Sequence, residues 1–289
     1  MQKHRKIILI AVDTLNVDHL GCYGYNIPKT PPTPFLDSLA QEGRFFGKHY
    51  ATDVPTPSSF TSLFYGVRGI KHGIIGFNNK PSEFSCSIPH LAECFAKNGF
   101  RTGMISNLLY IGSWYVKGFQ DIYPPGLRFQ GGTAEEVTSR ALRWLKFYAD
   151  SDFFLFIHYW DPHVPYYQRS KDKYRRMFPA TEYKDFGPEM KYFQQNKFLK
   201  ILYEATHRYD NDPLDPAENL ALYDANVRYV DDNIKILFHN FEKLGIKDET
   251  LVLITSDHGE AFGEYGFWDH YSCYRNISQL PLIFVTSGI

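Results

Sequence analysis

Residues 251–260 read LVLITSDHGE, an apolar run that leads directly into an acidic residue and a histidine. The run lacks the alternation of polar and apolar residues that a half-exposed strand shows, so it predicts a buried strand of a parallel sheet. Asp257 and His258 then stand at the carboxyl end of that strand, where sites form in open α/β sheets. A carboxylate beside an imidazole suits Zn²⁺ or Mn²⁺, although a salt-bridged Asp beside a capping His would explain the pair equally well.

The residues before this strand predict a long helix over 218–244. Apolar residues recur there at spacings of three and four, with Asp231 off the stripe, and Gly245 ends the pattern. Further runs predict strands at 6–12, 102–106, 153–159 and 281–285, and helices at 33–43, 88–99 and 133–148. This alternation predicts an α/β fold, with a mainly parallel central sheet sandwiched by helices.

Other polar residues also follow predicted strands. Asp13 ends the run KIILIAVD, and a carboxylate there is costly to bury unless it is paired or bound to a metal. Residues 55–66, PTPSSFTSLFYG, form a hydroxyl-rich turn that feeds a short helix ending at Gly66. A helix N-terminus can bind an anion, and a metal can activate a hydroxyl for nucleophilic attack. Taken alone, however, this stretch favours simple N-capping by Thr56 or Ser58.

Bulk composition excludes several classes of protein. The chain has 289 residues, a net charge of −1 and no run of Lys and Arg, which argues against nucleic-acid binding. No apolar run is long enough to span a membrane, and the N-terminal run is too short for a signal sequence. The four cysteines form no CxxC pair, so reduced, mostly buried thiols and a cytoplasmic location are expected. We predict one domain over 1–289, with a surface insertion at 167–217.

Four segments, in this order along the chain, resemble the sulfatase-like branch of the alkaline phosphatase superfamily. They are AVDTLNVDHLGCYGY (11–25), TPSSFTSLFYGVRGIKHGI (56–74), FFLFIHYWDPHVPYY (153–167) and the long helix with the DHGE strand and the second metal segment (221–271). The resemblance covers nearly the whole chain. It implies an alkaline phosphatase-like fold, and it implies a smaller C-terminal subdomain that would be absent or truncated here.

The resemblance also implies roles for individual residues. One divalent metal ion (Mn, Zn, Ca or Mg) would be held by four residues: Asp13, Thr56, Asp257 and His258. Thr56 would be the nucleophile, and His163 and His270 would contact the ester from two sides. Ser58 and Asn107 are further candidates for substrate contact.

Three neighbouring polar residues receive more modest interpretations. Asp161 is expected to orient His163, and Glu260 is expected to orient His258. His158 is interpreted as a satisfied core histidine.

The departures from the family pattern bear on the chemistry. Sulfatases proper carry C/S-x-P-x-R, whereas residues 56–60 read TPSSF and cannot yield formylglycine. The family's second carboxylate after the first strand is Thr14 here, and residues 104–109, MISNLL, lack the Lys and His of the usual GKWH segment. Much of the basic sulfate pocket is therefore absent.

These differences favour a metal-dependent phosphate-ester hydrolase or phosphoryl transferase. Two alternatives stay open: a sulfuric ester hydrolase working without formylglycine, and a catalytically silent metal- or anion-binding relative. The expected substrate is a small-molecule, glycan or lipid-headgroup ester.

Overall fold

The structure is a computed structural model. It describes residues 5–85, 87–127, 131–169, 171–183, 195–198, 200–201, 203–204, 213, 215–270 and 272–286.

Strands and helices alternate along the chain, as the sequence predicts. The strands are β1 (Lys6–Val12), β2 (Arg44–Phe45), β3 (Arg101–Ile105), β4 (Asp121–Ile122), β5 (Phe153–Tyr159), β6 (Thr250–Thr255), β7 (Ala261–Phe262), β8 (Trp268–Asp269) and β9 (Leu282–Val285). The described helices are α1 (Pro34–Glu42), α2 (Thr56–Tyr65), α3 (Gly69–His72), α4 (Leu91–Lys97), α5 (Ala134–Tyr148), α6 (Tyr166–Arg169), α7 (Asp172–Arg175), α8 (Pro216–Lys243) and α9 (Arg275–Ser278). The strands β1 and β5 have the predicted bounds, and the helices differ from prediction by three residues or fewer at each end.

Seven of these strands form one sheet in the order β2-β9-β6-β1-β5-β3-β4. The pairings that join β6, β1, β5, β3 and β4 are parallel, but β9 runs antiparallel to β6, and β2 runs antiparallel to β9. Val12 pairs with Tyr159 and Ala11 pairs with Thr255, so β1, β5 and β6 end at the same level. The residues that come after these three strands therefore meet at one edge of the sheet.

Both faces of the sheet are covered. Alternate residues of the central strands enter two different apolar clusters: Ile8, Ile10 and Val12 pack with α1, α5 and α8, whereas Leu9 and Ala11 pack with α2 and α4. Every residue of β5 is buried. Strands that are covered on both faces read as continuous apolar runs, which explains why the sequence pattern predicted them.

Helix α8 is the longest described helix, with 28 residues. The side chain of Asp215 accepts from the Ala217 N–H and begins it, and its apolar stripe faces the sheet. The position of Asp231 differs from expectation. Its side chain is fully buried and accepts from the N–H groups of Phe35 and Leu36, so it caps α1 from a neighbouring element.

The predictions for the cysteines and for the insertion agree only in part with the structure. Cys94 and Cys273 are exposed and Cys22 is half-buried, so the described thiols are free but not mostly buried. The predicted insertion at 167–217 lies partly outside the described residues. Its described part includes α6, α7 and Tyr203, whose ring lies 4.6 Å from that of Trp268. Within the described part of the chain, none of the helices combines the length and apolar character that crossing a bilayer requires.

Candidate active site

Three of the predicted metal ligands lie together at the carboxyl edge of the sheet. Asp13 follows β1, and Asp257 and His258 follow β6. Each offers one ligand atom, and these atoms all lie within 4.8 Å of one another. All three side chains are buried, with at most 1% of their surface exposed. The structure thus assembles the cluster that the sequence could only place on separate strand ends.

The orientation of His258 suits metal binding. Its Nδ1 donates to the Gly259 carbonyl at 2.9 Å, which leaves the Nε2 lone pair facing the cluster. Nε2 lies 3.4 Å from Asp257 Oδ2 and 3.0 Å from Thr56 Oγ1. Burial lowers the pKa of His258, so the imidazole is held in the neutral form that ligates metals.

The carboxylates of the cluster fit a cation. Asp13 Oδ1 and Asp257 Oδ2 are buried without a hydrogen-bond partner among the described residues. Burial raises the pKa of Asp13 well above its ordinary value, and the Asp257 and Glu260 carboxylates raise it further. Negative charge is disfavoured at this place until a positive charge offsets it. Asp13, Asp257 and His258, with the Thr56 hydroxyl beside them, therefore form a donor set that a divalent ion would satisfy.

Helix α2 brings Thr56 to the cluster. Thr56 is the first residue of the helix, and Ser59 Oγ donates to the Asp257 carbonyl at 2.6 Å, which holds the helix start against the turn after β6. Ser58 is buried in the same turn and lies close to Gly69. Gly66 ends the helix with a φ of 66°, as its position in the sequence predicts.

The turn after β1 is strained at Thr14. Its φ is 56°, a value that a β-branched residue rarely adopts. The Thr14 N–H donates to Asp257 Oδ1 at 3.2 Å, and its carbonyl accepts from the Tyr223 hydroxyl at 2.8 Å. These two bonds hold the strained turn in place and join the end of β1 to the end of β6.

His163 and His270 border the cluster. Their ring centroids lie 5.0 Å apart, and the His270 ring lies 4.6 Å from the His258 ring. Nδ1 of His163 donates to the Val164 carbonyl at 2.5 Å, and Nδ1 of His270 lies 3.1 Å from Glu260 Oε1. Nε2 is consequently the ring atom that each histidine can present to a ligand.

Two supporting residues act differently from the sequence interpretation. Glu260 pairs with His270 rather than with His258. Asp161 accepts from the Ala134 N–H at 3.1 Å, so it caps the start of α5 instead of orienting His163. Both corrections come from tertiary contacts that sequence spacing does not reveal.

His158 is more than a core histidine. Its Nε2 lies 3.2 Å from Asp13 Oδ2, and its Nδ1 lies 3.2 Å from Ser106 Oγ. Burial lowers the pKa of His158 to about 3, so the ring is neutral and carries one N–H. Because a carboxylate oxygen only accepts, that N–H lies on Nε2, and the Ser106 hydroxyl donates to Nδ1.

Asn107 follows Ser106 at the end of β3. It is fully buried, and its Nδ2 donates to the Gly131 carbonyl at 2.7 Å. Its place at the carboxyl edge of the sheet agrees with the candidate role in substrate contact, which stays a prediction.

The sequence is similar to a known protein family and to several characterised proteins. The family model described as Sulfatase matches residues 5–289. Human iduronate 2-sulfatase is 24% identical over 98% of this chain and 60% of its own length. Choline-sulfatase of Rhizobium meliloti (strain 1021) is 24% identical over 98% of this chain and 63% of its own. The chain thus spans about 60% of the length of these curated relatives.

Among solved structures, the phosphonate monoester hydrolase of Agrobacterium radiobacter is similar with a TM-score of 0.76 and 17% identity. The similarity covers 98% of this chain and 68% of the hydrolase. This likeness supports the fold, a mostly parallel sheet with flanking helices.

Proposed function

The chain belongs to the sulfatase family, and from that premise we propose that it is a metal-dependent ester hydrolase or transferase with Thr56 as its nucleophile and phosphate esters as its favoured substrates. The observation that carries the proposal is the position of the Thr56 hydroxyl. Thr56 is the first residue of α2, and its Oγ1 lies 3.0 Å from His258 Nε2, beside the buried cluster of Asp13, Asp257 and His258.

The proposed chemistry derives from these positions. A divalent ion at the cluster would supply Lewis acidity, which lowers the pKa of an adjacent hydroxyl and offsets the charge of the ester. As the Thr56 hydroxyl ionises, its proton passes to solvent; Oγ1 then attacks phosphorus, the bond to the leaving oxygen breaks, and a phospho-Thr56 results. The N–H groups of Thr56 and Ser58, at the start of α2, would stabilise the charge on the transferred group.

His270 and His163 complete the proton transfers. We assign His270 as the proton donor to the leaving oxygen: in its imidazolium form, held against Glu260 through Nδ1, it gives up its Nε2 proton and becomes neutral. His163 has its proton on Nδ1, so its Nε2 lone pair can take the proton of the water or alcohol that resolves phospho-Thr56. Water gives hydrolysis and restores Thr56; another alcohol gives transfer.

A sulfate ester is the second candidate substrate. The two curated relatives compared above are named as sulfatases, one for iduronate and the other for choline. The same Thr56 attack at sulfur would then proceed without formylglycine. We propose an ester on a small molecule, a glycan or a lipid headgroup as the substrate class. The cytoplasmic location and the single-domain organisation stay predictions.

The test uses the protein purified with Mn²⁺, Zn²⁺, Ca²⁺ or Mg²⁺ and four 4-nitrophenyl substrates: phosphate, phosphodiester, phosphonate and sulfate. We expect metal-dependent turnover that is fastest on a phosphorus ester. Thr56→Ala is expected to lower kcat at least about a thousand-fold, whereas the exposed Thr52→Ala keeps full activity. Unchanged turnover by Thr56→Ala would refute the nucleophile, and turnover of sulfate alone would refute the phosphate preference.

A further inference from the structure

The proposed site is rich in buried carboxyl groups. The carboxylates concerned are Asp13, Asp161, Asp257, Glu260 and Asp269, all at most 4% exposed. A phosphate or sulfate ester is itself an anion. One divalent ion offsets the charges of Asp13 and Asp257 but not the additional charge of an ester anion, so a further cation near the cluster would favour binding of that anion.

Helix α2 does not provide that cation. The helix contains no charged residue, and Phe60 stands where the sulfatase motif has its arginine. Phe60 is fully buried, and its ring packs 4.7 Å from that of His158 and 5.8 Å from that of Phe156. This position has become part of the apolar core.

Nearly all Lys and Arg side chains of the described residues are at least partly exposed, whereas the cluster is buried. Among the residues that the structure describes, Lys6 is the one Lys or Arg that is buried as a whole. It pairs with Glu249 at the amino end of the sheet, opposite the cluster.

Arg169 follows the carboxyl end of β5, which is the edge of the sheet where the cluster lies. It ends α6, a short helix that begins three residues after His163. The helix is fixed by Tyr166, whose carbonyl accepts from Asn226 Nδ2 at 3.0 Å and whose ring packs 6.2 Å from that of Phe262. The Nε atom of Arg169 is buried, although the residue as a whole is half-buried.

The charge of Arg169 acts on the site. Burial raises the pKa of Asp161 to about 6, and the Arg169 charge is the foremost influence opposing that rise. The helix that carries Arg169 packs beside the turn after β1, because the Tyr166 ring lies 5.9 Å from that of Tyr223, whose hydroxyl donates to the Thr14 carbonyl. Arg169 therefore lies on the helix that borders the cluster, and its charge acts on Asp161, which also follows β5.

We propose that Arg169 binds the anionic oxygens of the phosphate or sulfate ester, in place of the arginine missing from α2. The inference rests on the proposed function and adds a substrate-binding residue to it. A guanidinium suits this role because its planar fork binds two oxygens of a phosphoryl or sulfuryl group at once. The competing role is that of a buried counter-ion for Asp161 alone.

The test compares Arg169→Gln and Arg169→Lys with the wild type, all loaded with metal. Inorganic phosphate is the competitive probe, and KM and kcat are measured with the best aryl ester. We expect Arg169→Gln to raise KM and the phosphate inhibition constant at least tenfold with metal content unchanged. Arg169→Lys keeps the charge without the fork, so a rise of threefold or more is expected. Guanidinium added in millimolar amounts should restore part of the Arg169→Gln loss.

Arg140 provides the matched control, because it is an exposed arginine on α5 away from the cluster. Arg140→Gln removes the same charge and should leave both constants unchanged. If both Arg169 variants keep wild-type KM and phosphate inhibition, Arg169 is a counter-ion only, and the inference is wrong. If Arg169→Gln does not fold, the Arg169→Lys constants decide the matter in the same way.

The experiment distinguishes a failure of the Arg169 inference from a failure of the proposed function. Wild-type turnover that requires Thr56 but ignores both Arg169 changes would overturn this inference and leave the proposed function intact. Phosphate binding that depends on Arg169, in a protein that turns over no ester, would support the anion site and overturn the proposed function.

Discussion

His158 shows how a single buried residue can support the candidate metal site. It donates from Nε2 to Asp13 and accepts at Nδ1 from Ser106, so its ring is fixed at both ends. A partner of this kind orients a metal-ligating carboxylate, and its loss generally weakens metal affinity. This role could not be predicted from the sequence, because a histidine within an apolar strand is usually a packed core residue. Only the parallel register of β1 and β5 brings it beside Asp13.

Replacing His158 with phenylalanine is expected to weaken metal binding. The aromatic packing is largely kept, but Asp13 loses its N–H donor, so we expect the Kd for Mn²⁺ to rise about 10- to 100-fold. Titration calorimetry on the metal-stripped protein measures this change. His239→Phe on the exposed side of α8 is the control and should leave the Kd unaltered. An unaltered Kd in His158→Phe would show that the contact with Asp13 is incidental.

At the scale of elements, α8 ties several segments together through buried polar groups as well as through its apolar stripe. Asp224 accepts from Tyr25 and Tyr183 at 2.7 Å each, and its other oxygen lies 2.6 Å from His19 Nδ1. These contacts connect the loop after β1 and the described part of the insertion to one side chain of the helix.

The helix spacing and strand patterns were predictable because they depend on neighbours in sequence. The bounds of β1 and β5 reflect unbroken apolar runs, and α8 reflects its stripe. The burial of Asp231 was not predictable, because its partners are the N–H groups of α1, which is distant in sequence. The same holds for the pairing of Glu260 with His270, which depends on the β7–β8 hairpin.

The positions of the site residues were likewise predictable where they depend on neighbours in sequence and not where they depend on distant contacts. The positions of Asp13 and Asp257 could be predicted from the strands that they follow. The 3.0 Å approach of Thr56 to His258 required the family resemblance, because α2 reaches the cluster from a distant part of the chain.

Gly259 is expected to tolerate no side chain. A Cβ there would lie 2.0 Å from the Asn276 carbonyl oxygen, because the turn after β6 packs directly on residues 276–277. Gly259→Ala must therefore displace the turn that carries Asp257 and His258. We expect a loss of about 2 kcal/mol or more in unfolding free energy and a weaker Mn²⁺ Kd. Gly47→Ala, which meets nothing within 4 Å, is the matched control. Equal behaviour of the two variants in urea unfolding would contradict this explanation.

Asp231 predicts a pH dependence of stability that belongs to the contact between α8 and α1. Burial raises the pKa of Asp231 to about 7, against 3.8 for an exposed aspartate. The folded state thus holds the proton more tightly, so the contribution to stability is fully present below the unfolded pKa near 3.8 and is lost as pH rises toward 7.

The difference in unfolding free energy between wild type and Asp231→Asn isolates this contribution. We expect it to change by up to about 4 kcal/mol between pH 4 and pH 7. The exposed Asp150→Asn should follow the wild type throughout. A constant difference across this range in urea titrations would show that Asp231 does not titrate with folding.

At the scale of the whole molecule, the sheet order concentrates charge at one edge. The central position of β1 between β5 and β6 brings three strand ends to the same level. The turns after these strands hold Asp13, Asp161 and Asp257, all nearly fully buried. The fold therefore carries an electrostatic cost at this edge, and a bound cation should convert part of that cost into stability.

Metal binding is accordingly expected to stabilise the whole chain. With Mn²⁺ at about 100 times its Kd, linkage gives a gain of about 2.7 kcal/mol, measurable as a higher Tm by calorimetry relative to the protein in chelator. Asp257→Asn should differ from the wild type both in chelator and with Mn²⁺. It is expected to be as stable as the wild type or more so in chelator, because one buried charge is gone. It should gain nothing from Mn²⁺, because the ligand set is broken. A variant that Mn²⁺ stabilises as much as the wild type would show that the ion binds elsewhere.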